Sequence, residues 1–372
     1  MNLHERYGLR HIINARGTFT PLGVSRTPEP VIEATAEALR HFFDMAELQR
    51  VAGGRIAELT GAEAACVTNC VAAGITVAVA AAMAGADAAR IAQLPDPAGM
   101  NRCVVVQAGH LVNFGQPVEQ AVRLSGAEVL TAGDADGCLP EILDARLAED
   151  GVAALLIVDS RLSWGDNVSA AEAVALAHAR GLPVILDGAA QDLRLPALLA
   201  TGADAVLVSG QKYLSSPTAG IVLGRTDFVA AILAQEKGIG RAMKAGKEDI
   251  IGALAAVEYR QTLDLDAWSA ERRAEAEEFA AALGTLAGVS TRLVADPTHG
   301  PFWRVHADFD DARCGRPAGD IAHELAAGDP PIYVFEADAA QGTLNFELLS
   351  LGADERRTIV DRISEIVGYE KD

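Results

Sequence analysis

The chain has 372 residues, of which 50% are hydrophobic and 22% are charged, a composition typical of a globular protein with one large or two medium domains. Its net charge of −20 argues against a protein whose main partner is a nucleic-acid backbone. No apolar stretch reaches the roughly 18 residues of a membrane span, and the polar start MNLHERYGLR lacks the apolar core of an export signal.

The first 45 residues predict an N-terminal arm with turns, followed by a helix from about Pro28. Between residues 60 and 225, short apolar runs alternate with longer Ala-rich amphipathic stretches. This alternation predicts a mainly parallel sheet that is covered by helices on both faces. The seven runs read as strands are Ala64–Thr68, Cys103–Gln107, Glu128–Leu130, Ala153–Asp159, Pro183–Asp187, Ala205–Ser209 and Ile221–Leu223.

Helices are predicted in several of the intervals between these strands, at Val71–Ala92, Ala170–Arg180 and Leu195–Ala200. The loop at 215–220 leaves no room for a helix, so we expect the strand after it to run antiparallel to the strand before it. Long helices are predicted over 248–285, and a final helix from about Asp354.

The C-terminal part mixes predicted strands with helices, which is typical of a smaller α+β domain. Its strands are predicted at Phe302–His306, Ile332–Phe335 and Thr343–Phe346. We therefore predict three regions: an N-terminal arm and helix (1–45), a large domain (46–245) and a small C-terminal domain (246–372).

The five cysteines have irregular spacings and form no C-x-x-C pair, and the eight histidines form no H-x-x-x-H pair. This pattern predicts neither a disulfide framework nor a metal site. We expect the protein to work in a reducing cytoplasm.

Polar residues follow several predicted strands at the point where each strand ends. In open α/β sheets this carboxyl edge is where ligands bind. These residues are Thr68, Asn69 and Cys70 after the first strand, His110 after the second, Asp187 at the end of the fifth, and Ser209 and Lys212 after the sixth.

The chain has only five lysines among its 31 basic residues, yet it places Lys212 in a Gly- and Ser-rich loop at this edge. The aldehyde of pyridoxal phosphate (PLP) requires an amine, which lysine supplies and the always-protonated arginine does not. A carboxylate such as Asp187 keeps the pyridine nitrogen protonated, so that the ring can accept electrons. The residues thus predict a PLP site.

The remaining groups complete this interpretation. Thr68, Asn69 and Cys70 stand at a helix start, where backbone N–H groups bind phosphate, and Ser209 offers a further hydroxyl. His110 offers a flat ring that could stack on the cofactor. Each residue also has an ordinary structural reading as a loop lysine, a turn or helix cap, or a core histidine. The shared edge favours the PLP interpretation.

The chain resembles the selenocysteine-synthase-like group of fold-type I PLP enzymes over nearly its whole length. The resemblance is carried by INARGTFTPLGVS (13–25), GLPVILDGAAQ (181–191), VSGQKYLSSPTAGIVLGR (208–225) and GIGRAMKAGKEDIIGALAAVE (238–258). Within the group, LPDPAGM (94–100) and GRAMKAGKE (240–248) resemble an ammonia-lyase branch.

This resemblance implies the fold-type I architecture: a mainly parallel seven-stranded sheet domain and a smaller α+β C-terminal domain. It implies Lys212 as the lysine that binds PLP and Asp187 as the partner of the pyridine nitrogen. We also assign Thr218 to cofactor binding. The family further implies a homodimer or larger homo-oligomer whose active sites lie between subunits. The chain departs from the family pattern at Leu111, at Thr68-Asn69-Cys70 and at Ser216-Pro217-Thr218.

Cations in an otherwise acidic chain are candidates for binding an anionic substrate. Four cations form a local cluster whose spacing would line them along one helical face: Lys237, Arg241, Lys244 and Lys247. Of these, Arg241, Lys244 and Lys247 are the predicted substrate contacts. Arg16 and Arg26 in the N-terminal arm are similar candidates. A solvated surface is the alternative for the cluster.

The favoured function is a PLP-dependent ammonia-lyase that converts a small amino acid or amino-sugar acid into a 2-keto acid and ammonia. A racemase or epimerase and an aminotransferase remain open, because they use the same activated carbon. A selenium transferase acting on aminoacyl-tRNA is a remote alternative, since the family motifs begin at about residue 10 and the charge is −20. A non-catalytic PLP-fold protein is disfavoured by the retained lysine. We expect no nucleic-acid or membrane partner.

Overall fold

A computed structural model describes residues 2–368. These residues form two compact units: one is Thr27–Thr262, and the other combines the residues up to Arg26 with those from Leu263 onward. Across the described range, no helix combines the length and apolar character needed to cross a lipid bilayer.

Twelve strands are described in the range 2–368. They are β1 (Ile13–Asn14), β2 (Ala64–Thr68), β3 (Cys103–Gln107), β4 (Glu128–Ala132), β5 (Val152–Val158), β6 (Val184–Asp187), β7 (Ala205–Ser209), β8 (Gly220–Gly224), β9 (Val289–Ala295), β10 (Trp303–Phe309), β11 (Ile332–Tyr333) and β12 (Thr343–Phe346).

The α-helices of the same range fall between and around these strands. They are α1 (Leu3–Tyr7), α2 (Glu29–Leu39), α3 (Met45–Thr60), α4 (Val71–Ala84), α5 (Ala88–Gln93), α6 (Val118–Arg123), α7 (Pro140–Leu147), α8 (Ala170–Ala179), α9 (Leu195–Leu199), α10 (Thr226–Ala234), α11 (Lys247–Gln261), α12 (Leu265–Gly284), α13 (Asp311–Cys314), α14 (Ala318–Ala327) and α15 (Ala353–Val367).

The larger unit is built on a seven-stranded sheet in the order β2-β8-β7-β6-β5-β3-β4. Strand β8 is antiparallel to both β2 and β7, and the other neighbouring strands are parallel. The predicted sheet, its strand number and the reversal of the last strand are therefore confirmed. Because β2 to β7 share one direction, their carboxyl ends meet at one edge of the sheet.

Successive residues of the central strands point to opposite faces of the sheet, and both faces are buried. Leu186 and Val206 belong to the apolar core on one face, whereas Ile185 and Leu207 belong to the core on the other. Continuous apolar strands of this kind are characteristic of parallel sheets that are covered on both sides.

The single helix predicted over Val71–Ala92 is two helices in the structure. Helix α4 ends at Ala84 because Gly85 adopts φ 57, and α5 restarts with Asp87 as its N-cap. The side chain of Asp87 accepts hydrogen bonds from the N–H groups of Ala89 and Arg90. The Ala-rich composition on both sides suggested one continuous helix. The break is nevertheless visible in the sequence Gly85-Ala86-Asp87, which supplies a helix-ending glycine and an N-cap aspartate.

The smaller unit contains a three-stranded antiparallel sheet in the order β12-β10-β9 and a parallel pair, β1-β11. Its core packs side chains of α12, α14 and α15 with the inner faces of these strands. Strand β9 was not among the predicted strands, because only one of its seven residues, Val289, is buried and its apolar pattern is weak.

The two compact units are bounded at 26 and 262, whereas the sequence predicted boundaries at 45 and 245. Helix α11 packs against α2 and α3, so all three helices belong to the unit with the large sheet. Packing between helices that are two hundred residues apart leaves no local sequence signal.

Candidate functional site

Asp187 and Lys212 lie at the carboxyl edge of the large sheet. Asp187 is the last residue of β6 and is 4% exposed, and half-buried Lys212 follows the end of the neighbouring strand β7. Burial raises the pKa of Asp187 and lowers the pKa of Lys212, and the charge of each residue partly offsets the shift of the other. The sheet therefore places an amine of reduced basicity beside a buried carboxyl.

Backbone hydrogen bonds fix the end of β6 against β7. The N–H of Gly188 donates to the carbonyl of Leu207, and the N–H of Ser209 donates to the carbonyl of Ala189 at 3.0 Å. The carboxylate of Asp187 accepts from the N–H of Ala189 at 3.0 Å. The Asp187 side chain is thus held in one direction by its own turn.

The loop that carries Lys212 is closed by short-range hydrogen bonds. The N–H of Ser216 donates to the carbonyl of Gly210 at 2.9 Å, and the N–H of Gly210 donates to the carbonyl of Ala219 at 2.8 Å. A Cβ at position 210 would lie 2.3 Å from Oγ of Ser216, so the loop requires glycine there. The loop is therefore a short connection between the antiparallel strands β7 and β8, and Lys212 lies within it.

His110 ends a short 3₁₀ turn directly after β3 and is 6% exposed. Its Nδ1 atom has no hydrogen-bond partner within the described residues, and burial lowers the pKa of the ring to about 4. The imidazole is therefore neutral at physiological pH. A Cβ at Gly109 would lie 1.9 Å from the carbonyl oxygen of Trp164, so glycine permits the close approach of these two loops.

The predicted phosphate loop begins where β2 ends. The hydroxyl of Thr68 bonds to the carbonyls of Cys70 and Gly220, and the N–H of Asn69 donates to the carbonyl of Met243 at 2.9 Å. Cys70 is the N-cap of α4, with Sγ accepting from the N–H of Ala73 at 3.5 Å. The backbone N–H of Asn69 is thus engaged within the protein, so an anion at this loop would depend on N–H groups in the first turn of α4.

The basic cluster does not lie along one helical face, contrary to the expectation from its spacing. Arg241 is in a 3₁₀ turn, Lys244 forms a β-bridge with Thr68, and Lys247 begins α11. Glycines at 238, 240 and 246 interrupt the helix that the spacing suggested. As a result, only Lys244 is placed beside the phosphate loop by its backbone.

Lys247 has a structural role instead. Its ammonium donates to the carbonyl of Leu39, at 3.3 Å, and to the carbonyl of His41, beyond the end of α2. A cation at a helix C-terminus satisfies carbonyls that lack partners within the helix. This accounts for lysine at 247 without an anionic ligand.

The remaining residues predicted to bind substrate or cofactor lie in several places. Both guanidinium nitrogens of Arg26 bind the carboxylate of Glu355, at 2.7 and 2.6 Å, which argues against Arg26 as a substrate contact. Arg16 lies in the smaller unit with its guanidinium carbon 3.9 Å from the centroid of Phe19. Ser209 is buried at the end of β7, and Thr218 is exposed in the loop before β8.

Sequence reasoning missed two further charged residues at this edge. Asp192, buried in the turn after β6, forms an ion pair with Arg260 at the end of α11, with a distance of 3.1 Å. Arg260 also donates to the carbonyl of Tyr213, which follows Lys212, at 2.6 Å. The sequence did show an acidic residue, Asp192, five positions after Asp187. It could not show that this residue pairs with an arginine 68 positions further along the chain.

The residues of this edge fit PLP. Lys212 provides the amine, Asp187 a buried carboxyl facing it, and His110 a neutral ring with an unpartnered nitrogen. The N-terminus of α4 lies on the same edge, and its first-turn N–H groups would suit a phosphate. Across residues 2–368, no group of three or more His, Cys, Asp or Glu side chains could hold a metal ion.

Residues 12–268 match the model of the L-seryl-tRNA selenium transferase family, SelA. D-glucosaminate-6-phosphate ammonia lyase of Salmonella typhimurium is 34% identical over 373 residues, which cover 100% of this chain and 99% of the relative. The 5'-C-glycyluridine monooxygenase-decarboxylase of a Streptomyces species is 35% identical over 367 residues, covering 98% of this chain and 92% of the relative.

A solved structure of D-glucosaminate-6-phosphate ammonia-lyase superposes with a TM-score of 0.91 at 34% identity, covering 99% of this chain and 98% of the other. A cysteine desulfurase from Thermococcus onnurineus, at 14% identity and TM-score 0.56, shares the fold. The matched family and structures are those of PLP-dependent fold-type I enzymes, so PLP is the cofactor. The chain belongs to the SelA family of fold-type I PLP-dependent enzymes.

Proposed function

We propose that the protein is an ammonia-lyase that converts a small amino acid or amino-sugar acid into a 2-keto acid and ammonia. The observation that carries this proposal is the match to D-glucosaminate-6-phosphate ammonia-lyase over essentially the full length of both chains. The lysine–carboxyl pair at the sheet edge supplies the chemistry that such a reaction requires.

Lys212 has two proposed tasks. Its amine would hold the cofactor covalently, and with substrate in the site the same amine would take the proton from the α-carbon of the substrate. Burial lowers the pKa of this amine, so more of it is unprotonated and able to act as a base near neutral pH. The bound cofactor supplies the electron-accepting ring that stabilises the negative charge left on the α-carbon.

Asp187 is proposed to keep the pyridine nitrogen protonated through a charge-assisted hydrogen bond. His110 is proposed to pack its neutral ring against the cofactor, a role that fits its burial at this edge. Lys244 and the first turn of α4, capped by Cys70, are proposed to hold the phosphate. Thr68 and Ser209 are proposed to line the same end of the site, and Thr218 is proposed to contact the cofactor.

The overall reaction balances without an oxidant or reductant. A β-hydroxyl leaves with a proton as water, which gives a double bond between the α- and β-carbons. The resulting amine-bearing product takes up water at the α-carbon and releases ammonia and a 2-keto acid. Arg241 is a proposed cation for the acid group of the substrate.

We also propose that the enzyme is a homodimer or larger oligomer that works in the cytoplasm on a small molecule, without a nucleic-acid partner. In the larger unit, Phe42 is 102% exposed, Leu39 is 58% exposed and Ile32 is 44% exposed, so α2 and the segment after it present an apolar surface. A second copy of the chain would cover such a surface. The five cysteines are free, as expected of a reducing compartment.

A substrate screen tests the proposed reaction. Purified holoenzyme is incubated with D- and L-amino acids and with amino-sugar acids, with and without a 6-phosphate, and ammonia, 2-keto acid and enantiomer content are measured. Equal amounts of ammonia and keto acid from one substrate support the proposal. A changed enantiomer ratio without ammonia would instead identify a racemase, and keto acid formed only with an added amino acceptor would identify an aminotransferase.

Oxidative decarboxylation is a second candidate, favoured by the 35% identity to the monooxygenase-decarboxylase over 98% of this chain. The two reactions differ in their use of oxygen. Elimination proceeds under nitrogen and leaves the carboxyl carbon in place, whereas oxidative decarboxylation consumes oxygen and releases carbon dioxide. The same screen with an oxygen electrode and a carboxyl-labelled substrate therefore separates them.

A further inference from the structure

An ion pair next to Lys212 has no part in the reaction described above. It joins Asp192, in the turn after β6, to Arg260, in the last turn of α11. The side chains are 3% and 15% exposed, and Nη1 of Arg260 lies 3.1 Å from Oδ2 of Asp192. The other terminal nitrogen, Nη2, donates to the carbonyl of Tyr213 at 2.6 Å. One guanidinium thus connects the Asp192 turn to the residue that follows Lys212.

Stability alone explains this pair poorly. Neither carboxylate oxygen of Asp192 has a hydrogen-bond partner of good geometry within the described residues, and burial raises the pKa of the group. A buried ion pair whose carboxylate has no further hydrogen bonds gives back little more than its desolvation cost. Replacing buried ion pairs with apolar side chains of similar size is often neutral or stabilising.

A negative charge on Asp192 raises the pKa of the Lys212 amine. Three charged groups influence the pKa of this amine: Asp187 at the end of β6, Asp192 in the following turn, and Arg161 in the loop after β5. The two carboxylates favour the protonated amine, whereas Arg161 opposes it. Asp159, which forms a 3.5 Å ion pair with Arg194, acts on Asp187.

We propose that Asp192 and Arg260 are positioning residues for Lys212: Arg260 anchors the backbone of the lysine loop through Tyr213, and Asp192 holds a negative charge beside the lysine amine. This inference rests on the proposed attachment of PLP to Lys212. The pair spans two segments, so it fixes both the place of the amine and the electric field around it.

The charge component is tested by a pH titration of the visible absorption band of the holoenzyme. A negative charge near the nitrogen that links lysine to the cofactor favours the protonated form of this linkage. In Asp192→Asn the midpoint of the titration should therefore fall by about one pH unit. The double variant Asp192→Asn/Arg260→Leu carries no unpaired buried charge, and its midpoint should fall as well.

The anchoring component is tested by Arg260→Lys. A lysine keeps a positive charge for Asp192 but cannot reach both the carboxylate and the Tyr213 carbonyl in the fixed fork of a guanidinium. The titration midpoint should stay at its wild-type value. Cofactor dissociation during dialysis should become several-fold faster, because the loop that carries Lys212 is less constrained.

Asp204→Asn is the matched control. Asp204 is another buried aspartate that is paired with an arginine, Arg225, and it precedes β7 at the opposite edge of the same sheet. Its replacement should lower thermal stability and leave both the midpoint and cofactor dissociation unchanged. Comparable changes in this control would show that the effects reflect general loosening of the unit, and the inference would be overturned.

The outcomes separate this inference from the proposed function. If borohydride fixes the cofactor on the Lys212 peptide but Asp192→Asn and the double variant titrate like wild type, the proposed charge of Asp192 is refuted and the function stands. If Arg260→Lys retains the cofactor like wild type, the anchoring role is refuted. If borohydride fixes the cofactor on another lysine, the proposed function fails first.

Discussion

At its amino edge the seven-stranded sheet buries one carboxylate, Asp204, and at its carboxyl edge it buries Asp187 and Asp192. Asp204 is fully engaged: it accepts from Nε2 of His178 at 2.9 Å, from the N–H of Val184 at 2.7 Å, and from Arg225. At the carboxyl edge, both oxygens of Asp192 lack a hydrogen bond within the described residues.

The imidazole of His110 follows the same pattern, because its Nδ1 is buried and unpartnered within the described range. Buried polar atoms without partners are costly, and native structures keep few of them. The comparison teaches that one edge uses its polar groups to hold the strands together. At the other edge, Asp192 forms an ion pair with Arg260, and Nδ1 of His110 has no partner within the described residues, which fits an edge where we propose that the cofactor binds.

Replacing Lys212 should have the largest effect. Lys212→Ala removes the amine that we propose holds the cofactor and takes the α-proton, so turnover should fall by at least about a thousandfold. Borohydride treatment should no longer attach the cofactor to the peptide that contains residue 212. Lys237→Met is the control, because Lys237 is exposed, and it should behave like wild type. Full activity of Lys212→Ala would contradict the site.

Replacing Asp187 should reduce turnover by orders of magnitude while some cofactor remains bound. In Asp187→Asn the amide would still be a neutral hydrogen-bonding partner, but it could not stabilise the positive charge on the pyridine nitrogen. Steady-state kinetics and the visible spectrum of this variant check both effects together. Near-normal turnover would show that another residue fills this role.

The amino edge should respond in the opposite way. Asp204→Asn replaces a carboxylate that accepts three hydrogen bonds and leaves the N–H of Val184 poorly matched. We expect a loss of about 2 kcal/mol in the free energy of unfolding, with kcat and KM unchanged. Chemical denaturation and kinetics of the same sample measure both. A large fall in kcat with intact stability would erase the distinction between the two edges.

His110 should make the stability of the protein depend on pH. The pKa of His110 is lowered from 6.5 to about 4 by burial. Between these two values the ring binds a proton in the unfolded chain but not in the folded chain. The contribution of His110 to the free energy of unfolding is therefore complete above the pKa of the unfolded chain. It is lost as the pH falls toward the pKa of the folded chain. Between about pH 7.5 and about pH 5 the expected loss is about 2 kcal/mol.

His110→Phe keeps a flat buried ring without this titration. Urea unfolding of both proteins at the two pH values should show a smaller pH dependence in the variant, by about the same 2 kcal/mol. The variant should also bind PLP while its turnover changes. An identical pH dependence in both proteins would mean that His110 is accessible to protons in the folded state.

The smallest effects should separate the two lysines of the basic cluster. Lys247→Met removes the cap on α2 and should cost about 1 kcal/mol of stability, with unchanged kinetics. Lys244→Met should instead raise KM or release cofactor on dialysis, because Lys244 lies beside the phosphate loop. If both variants bind cofactor and substrate like wild type, the phosphate has no contact with this cluster.

The sequence alone determined the large sheet and the residues at its edge. Continuous apolar runs such as Ala205–Ser209 allow a buried parallel strand, and Lys212 and Asp187 follow from strand ends that the local pattern marks. These residues also predicted PLP as the cofactor, and the family resemblance added the group of enzymes. These features were predictable because neighbouring residues in the chain encode them.

The tertiary structure decided what depends on partners distant in sequence. It paired Arg26 with Glu355 and used Lys247 to cap α2, so two cations that resembled ligand contacts are engaged within the protein. It also joined Asp192 to Arg260 beside the lysine loop. The sequence does not show whether a charged side chain contacts a ligand or pairs with another residue of the protein, because tertiary packing determines which groups lie close together.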